Sequence, residues 1–126
     1  MVIDSSAILA ILLNEPEALE FQQKITQAEI RLISAATLFE ASIVAEGRLG
    51  KTEDIDLWFK EANLLVQIVD EVQANLARDA WRRFGKGRHP AGLNFGDCFS
   101  YALAKSKGEK LLFKGSDFSQ TDILAA

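Results

Sequence analysis

Short, continuously apolar runs rich in β-branched residues alternate along this chain with longer stretches of helical spacing, and few folds accommodate that rhythm. "MVID", "IRLIS", "VQIV" and "KLLFKG" read as strands. Between them, "SSAILAILLN", "EPEALEFQQKITQAE", "AATLFEASIVAEGRLG", "TEDIDLWFKEANL", "DEVQANLARDAWRRFGKG" and "GDCFSYALAKSKG" read as helices. A strand that is apolar without interruption is covered on both faces. Strands of that kind joined by helices imply βαβ units around a buried parallel sheet. The tail, "SDFSQTDILAA", is expected to add a short final strand near Ile123. Helix boundaries follow from local chemistry. Pro16 suits a first turn, Thr52 a cap, Asp70 a cap, and Gly47 or Gly50 a helix end.

With 126 residues, 48% hydrophobic and 25% charged, the chain is of a size for one domain over 1–126 with a sizeable core. The run from Ala7 to Leu13 is too short to span a bilayer, and it follows an aspartate rather than a basic segment, so neither a membrane span nor a signal peptide is expected. One cysteine, Cys98, leaves no internal disulfide and suits the reducing cytoplasm. One cysteine and one histidine also exclude a Cys/His zinc site, so any metal here is hard and held by oxygen. The net charge of −4 is unevenly spread. Residues 1–70 hold 5 basic and 12 acidic side chains, and residues 71–126 hold 9 and 6. The second half leaves room for a phosphate-binding surface.

In open parallel sheets, ligands bind beyond the carboxyl ends of the strands. Asp4 stands at such an end, and Asp117 stands just past "KLLFKG". Asp97 opens the helix before that strand. Glu40 sits in a helix with Ala36, Ile43 and Val44 at i−4, i+3 and i+4, an apolar setting that asks for compensation. Taken singly, Asp4 and Asp97 also suit helix caps, Asp117 a turn, and Glu40 a solvent-facing position. Gathered in one pocket, four carboxylates would repel one another, and a divalent cation such as Mg²⁺ or Mn²⁺ would relieve that repulsion. A cation so held activates water and clamps phosphate oxygens, so the chemistry favoured is phosphodiester hydrolysis. A receiver-type phosphoacceptor domain would want an acidic pair after the first strand, and a haloacid-dehalogenase-type phosphatase would want Asp-x-Asp; "VIDSS" offers neither.

Four segments in this order, "MVIDSSAILAILLNEPEA", "SAATLFEASIV", "LNFGDCFSYALAK" and "LLFKGSDFSQTDI", resemble PIN-domain proteins, and specifically the VapC toxins of bacterial VapBC toxin–antitoxin pairs, nearly end to end. The resemblance implies a three-layer α/β/α fold with a central parallel sheet of four to five strands flanked by helices. It implies a metal-dependent endoribonuclease whose catalytic acids are Asp4, Glu40, Asp97 and Asp117, with Asp4, Asp97 and Asp117 holding Mg²⁺ or Mn²⁺. Ser6 matches the Ser/Thr that supports the first aspartate or the metal's water shell. Ser116 stands where many relatives carry Asn or Asp. Ser100, on the face of Asp97, is placed either to bond a carboxylate or to fill a helix contact, and Asp122 either to assist the site or to shape a turn. A cognate VapB-type antitoxin, an RNA substrate and a homodimer are the implied partners, with the first four helices supplying much of both protein surfaces. A PIN-like domain that binds a partner without cutting is the alternative.

Arg78, Arg82 and Lys86 recur at i, i+4 and i+8, continued by Arg83 and Arg88. This basic stripe could hold RNA phosphates, or it could be a solvated face suited to a helix C-terminus. His89 reads as a surface residue. Trp58, Phe59, Trp81, Phe84, Cys98 and Phe99 read as packing residues.

Overall fold

The computed structural model describes residues 1–50 and 52–126. Four strands, β1 (Val2–Ile3), β2 (Leu32–Ser34), β3 (Leu65–Gln67) and β4 (Leu111–Leu112), form one parallel sheet in the order β3-β2-β1-β4. The helices are α1 (Ser5–Leu12), α2 (Ala18–Gln27), α3 (Ala35–Leu49), α4 (Glu53–Ala62), α5 (Glu71–Phe84) and α6 (Phe95–Lys107). Successive strand residues point to opposite faces. Val2, Leu32 and Leu111 accordingly join α5 and α6 residues in one core, while Ile3, Ile33 and Leu112 join α1 and α2 residues in the other. That is the three-layer α/β/α arrangement, and it explains why β1 and β4, and β2 up to Ser34, are apolar on both faces.

From β1 the chain steps to β2 and β3 on one side, then crosses to place β4 on the other. The order therefore reverses between β1 and β4, and the crevice beyond that pair is where such sheets bind ligands. The backbone amide of Asp4 donates to the Leu112 carbonyl at 2.9 Å, carrying the pairing right to that crevice.

Several local expectations shift. The third strand is Leu65–Gln67, not "VQIV", because it pairs only with Leu32–Ser34 and β2 turns directly into α3. Ile68 and Val69 are left outside it and exposed. In place of a strand near Ile123 there is a single 3₁₀ turn, Phe118–Gln120, followed by one parallel bridge between Leu111 and Ala125. Phe118 is buried where the tail turns, and beyond it the Leu111 amide donates to the Leu124 carbonyl and the Ala126 amide to the Leu111 carbonyl, both at 2.9 Å, so only a single bridge of the expected strand forms. Pro16 lies in the turn before α2 rather than inside its first turn. Thr52 has helical backbone angles (φ −84°, ψ −39°) and makes no side-chain cap, since a cap hydroxyl reaches the helix amides only from extended backbone. Gly50, at φ 63°, and not Gly47, ends α3.

Candidate active site

Asp4 leaves β1 in extended conformation and caps α1, which turns its side chain into the crevice. It is 1% exposed, and both carboxylate oxygens are held. Oδ2 accepts from the Ser6 amide at 2.9 Å and the Ser6 hydroxyl at 2.6 Å, and Oδ1 accepts from the Ser100 hydroxyl at 2.6 Å. Ser6 Oγ in turn accepts from the Lys114 amide just past β4 at 3.0 Å. The Ser100 hydroxyl lies 3.2 Å from that of Thr37 on α3. One buried carboxylate thus ties α1, α3, α6 and the end of β4 together. Ser100 bonds a carboxylate as well as filling a helix contact, so its two readings are compatible.

Glu40 is half-buried rather than sealed in an apolar face, because Ile43 beside it is 51% exposed. Its carboxylate accepts from the Ser5 hydroxyl at 2.5 Å and lies directly against Gly96, where a Cβ would stand 1.8 Å from Oε2. The first turn of α6 therefore approaches Glu40 through a missing side chain.

Asp97 is not the cap of α6. Asn94 is: its side chain accepts from the Asp97 amide at 2.9 Å, while Asp97 Oδ2 accepts from the Asn94 amide at 2.9 Å, a reciprocal capping box. Burial, together with the charges of Asp4, Asp117 and Glu40, pushes the Asp97 carboxyl up to about 6 against the lowering effect of the Asn94 amide. Asp4, Asp117 and Glu40 are thus each near enough for their charge to act on Asp97. Asp117 is exposed at the rim, beginning the 3₁₀ turn. Ser116 contributes no side-chain contact to the acids. It is exposed, and its carbonyl accepts from Ser119 Oγ and Gln120 Nε2, because the tight turn directs its backbone inward.

Among the described residues, none of the four acids belongs to an ion pair. An all-oxygen set of carboxylates without a neutralising lysine or arginine has the chemistry of a hard divalent cation site. The fit is one of donor type and charge. No three acidic, His or Cys side chains among the described residues are drawn close enough to form a closed metal cage. A cation bound there would relieve the repulsion that Asp97 feels.

Asp122 has a different task. Against its own desolvation, hydrogen bonds from Lys105, Tyr101 and Arg83 hold its carboxyl down to about 2. It fastens the C-terminal turn to α5 and α6, and it engages Arg83, which also pairs with Asp79. Arg83 is therefore the least available of the basic residues. Arg78, Arg82, Lys86 and Arg88 are exposed and in no ion pair among the described residues. His89 Nδ1 accepts from the Ala91 amide, and its ring packs edge-on against Phe84, a purely structural setting. Trp81 is no core residue: it is 44% exposed, with the Arg88 guanidinium 3.9 Å above its ring.

Ser5, Thr37 and Gly96 were not anticipated as site residues. Gly96 carried a signal, since a glycine inside a helix costs about 1 kcal/mol relative to alanine and therefore asks for a reason. Ser5 lies in the "DSS" run, but nothing in a sequence pairs it with Glu40 thirty-five residues away.

The PIN-domain family model matches residues 1–124. A protein named Ribonuclease VapC from Mycolicibacterium smegmatis is 50% identical over 127 aligned residues, covering 99% of this chain and 98% of the relative. Ribonuclease VapC30 of Mycobacterium tuberculosis is 50% identical over 125 residues, covering 98% and 95%. The chain is a PIN-domain protein of the VapC family. Ribonuclease VapC28 of Mycobacterium tuberculosis is 44% identical over 129 residues, covering 100% and 97%. The crystal structure of Mycobacterium tuberculosis VapC20, described as a sarcin–ricin loop cleaving toxin, superposes with a TM-score of 0.80 at 15% identity over 99% of this chain and 97% of that one. At that identity the likeness concerns the fold, and it is the PIN fold. Among the described residues of this PIN domain, no helix is long and apolar enough to cross a membrane.

Proposed function

We propose that this VapC-family protein is the endoribonuclease toxin of a type II toxin–antitoxin pair and hydrolyses RNA phosphodiester bonds at the crevice between β1 and β4. The observation that carries this reading is geometric: Glu40 lies against Gly96 in the first turn of α6, Asp97 is the next residue, and Asp4 accepts from Ser100 one turn on, so that burial and the charges of Asp4, Asp117 and Glu40 push the Asp97 carboxyl up to about 6. Repulsion of this kind destabilises a fold and gives a binding module nothing in return. A divalent cation of the Mg²⁺ or Mn²⁺ type, held by Asp4, Asp97 and Asp117, would polarise the scissile phosphate and lower the pKa of a nearby water.

The chain's own residues supply the rest. Ser6 and Ser100 fix both oxygens of Asp4, so its orientation is set before substrate arrives. Glu40, held by Ser5 and unassigned to metal, would accept the proton of the attacking water. Asp97 is fixed through Oδ2 by its capping box, leaving Oδ1 for the cation. The unpaired cations of the α5 stripe and the loop after it (Arg78, Arg82, Lys86 and Arg88) would hold RNA phosphates.

Exposed apolar residues on the first helices, Leu19, Phe39, Ile43 and Leu57, form surfaces suited to a VapB-type antitoxin and a second copy of this chain. The single Cys98, buried and in no disulfide, accords with action in the cytoplasm. The deciding experiment incubates total RNA with purified protein and Mg²⁺ or Mn²⁺, beside EDTA and an Asp97→Asn variant. Discrete fragments absent from both controls are expected. Fragments that persist in EDTA would remove the metal-dependent reading, and their absence throughout would favour the non-cutting alternative.

A further inference from the structure

A groove of about 610 Å³ lies between α5 and the first turns of α6, and the acid cluster does not use it. Its walls are aromatic and apolar: Ala77 and Trp81 on α5, Leu93 before α6, and Phe95, Cys98 and Phe99 on α6. Arg78 and Lys86 stand at its lip. Phe95 is 81% exposed and meets Phe99 edge to face at 5.0 Å. A large aromatic ring held so openly, one residue from Gly96 and two from Asp97, is not there for the core. We propose that this groove is a subsite for an unpaired nucleobase of the RNA substrate, stacked on Phe95 and on the face of Trp81 that the Arg88 guanidinium leaves open, with its flanking phosphates held by Arg78 and Lys86.

Three observations select that occupant. The walls are planar and apolar, which suits a base, and base–aromatic stacking tolerates any sequence. The cations at the lip have no acidic partner among the described residues, so the site is complementary to a polyanion in a chain that is otherwise acidic. The groove is also continuous with the acid site around α6. Positions 95, 98 and 99 line the groove, while 96, 97 and 100 face the acids. A strand crossing the first turn of α6, about one helix diameter or 10–12 Å, would reach both. A duplex cannot present a base in this way. The subsite therefore directs the enzyme to loops or single strands.

This inference rests on reading the chain as an RNA-cutting enzyme, and its test is independent of cleavage. Fluorescence anisotropy in EDTA would compare a labelled single-stranded oligoribonucleotide of ten residues with the same backbone lacking bases. Phe95→Ala and Trp81→Ala should each weaken the intact oligomer about 5- to 100-fold and leave the abasic one unchanged. Arg78→Ala with Lys86→Ala should weaken both oligomers and flatten the salt slope by about 1.4, two single-strand phosphates' worth. Phe95 is so exposed that its replacement should leave the melting temperature alone, and a melt confirms it. The proposal is overturned if wild type binds neither oligomer, if it does not distinguish them, or if Phe95→Ala binds the intact one normally. It is equally overturned if Phe95→Ala loses only an acidic peptide partner, which would make the groove a protein surface. Should Asp97→Asn still cut RNA while Phe95→Ala loses base-dependent affinity, the acid-site reading fails and the base subsite stands.

Discussion

At Gly96 the choice of one residue decides whether Glu40 has a place. Gly96→Ala restores about 1 kcal/mol of helix propensity, but its methyl collides with the end of a flexible carboxylate, which can move aside. Stability should therefore change by less than about 1 kcal/mol, while cleavage falls at least tenfold because Glu40 loses its seat beside Ser5. Parallel melting curves and cleavage rates separate the two effects. Asp97 makes the complementary point about charge. Its carboxyl titrates near 6 in the metal-free fold against an ordinary value of 3.8. Between those values the folded chain holds a proton that the unfolded chain has released, so stability falls as pH rises through the window. Asp97→Asn keeps an oxygen for the Asn94 amide and removes the charge. In EDTA at pH 8 it should be more stable than wild type by roughly 2 kcal/mol after allowance for solvent screening, the gap closing toward pH 4. Urea unfolding at both pH values measures this, and a variant less stable at pH 8 would show that the acids do not repel.

Among the elements, α6 does the most. Its capping box orients Asp97, its second residue makes room for Glu40, and its sixth, Ser100, reaches the buried Asp4. Ser100→Ala leaves one oxygen of a buried carboxylate without its donor, a loss of about 1.5–3 kcal/mol that equilibrium unfolding should register. Asn94→Ala removes only the cap, about 1 kcal/mol, but frees the first turn, so cleavage should suffer more than stability does. At the far edge of the sheet, β3 pairs on one side only and leaves Leu65 and Val66 exposed. Its length is decided by β2, three residues long, and not by the apolar run that seemed to extend to Val69.

Taken as a whole, the molecule is a parallel sheet with one reversal of strand order, and four separate stretches of chain bring Asp4, Glu40 and Asp117 near enough to act on Asp97. Binding of a cation there should stabilise the fold by mass action, about 2.7 kcal/mol at a hundredfold excess over its dissociation constant and of the order of 10 °C in melting temperature. Differential scanning with and without Mg²⁺ tests this, and Asp97→Asn should abolish the shift. The strand–helix alternation, the uninterrupted apolar strands and the aspartates at strand ends are local patterns, and local patterns can be read because side-chain period and burial act on neighbours. So the layered parallel fold was legible in the residues alone, and Asp4, Glu40, Asp97 and Asp117 could be named there as candidates. Three things were not: Ser5 beneath Glu40, the capture of Arg83 by Asp122, and the open groove beside Phe95. Each depends on which helices meet across the sheet, and that is decided by long-range packing, where a residue's partner lies tens of positions away and leaves no mark on its own neighbourhood.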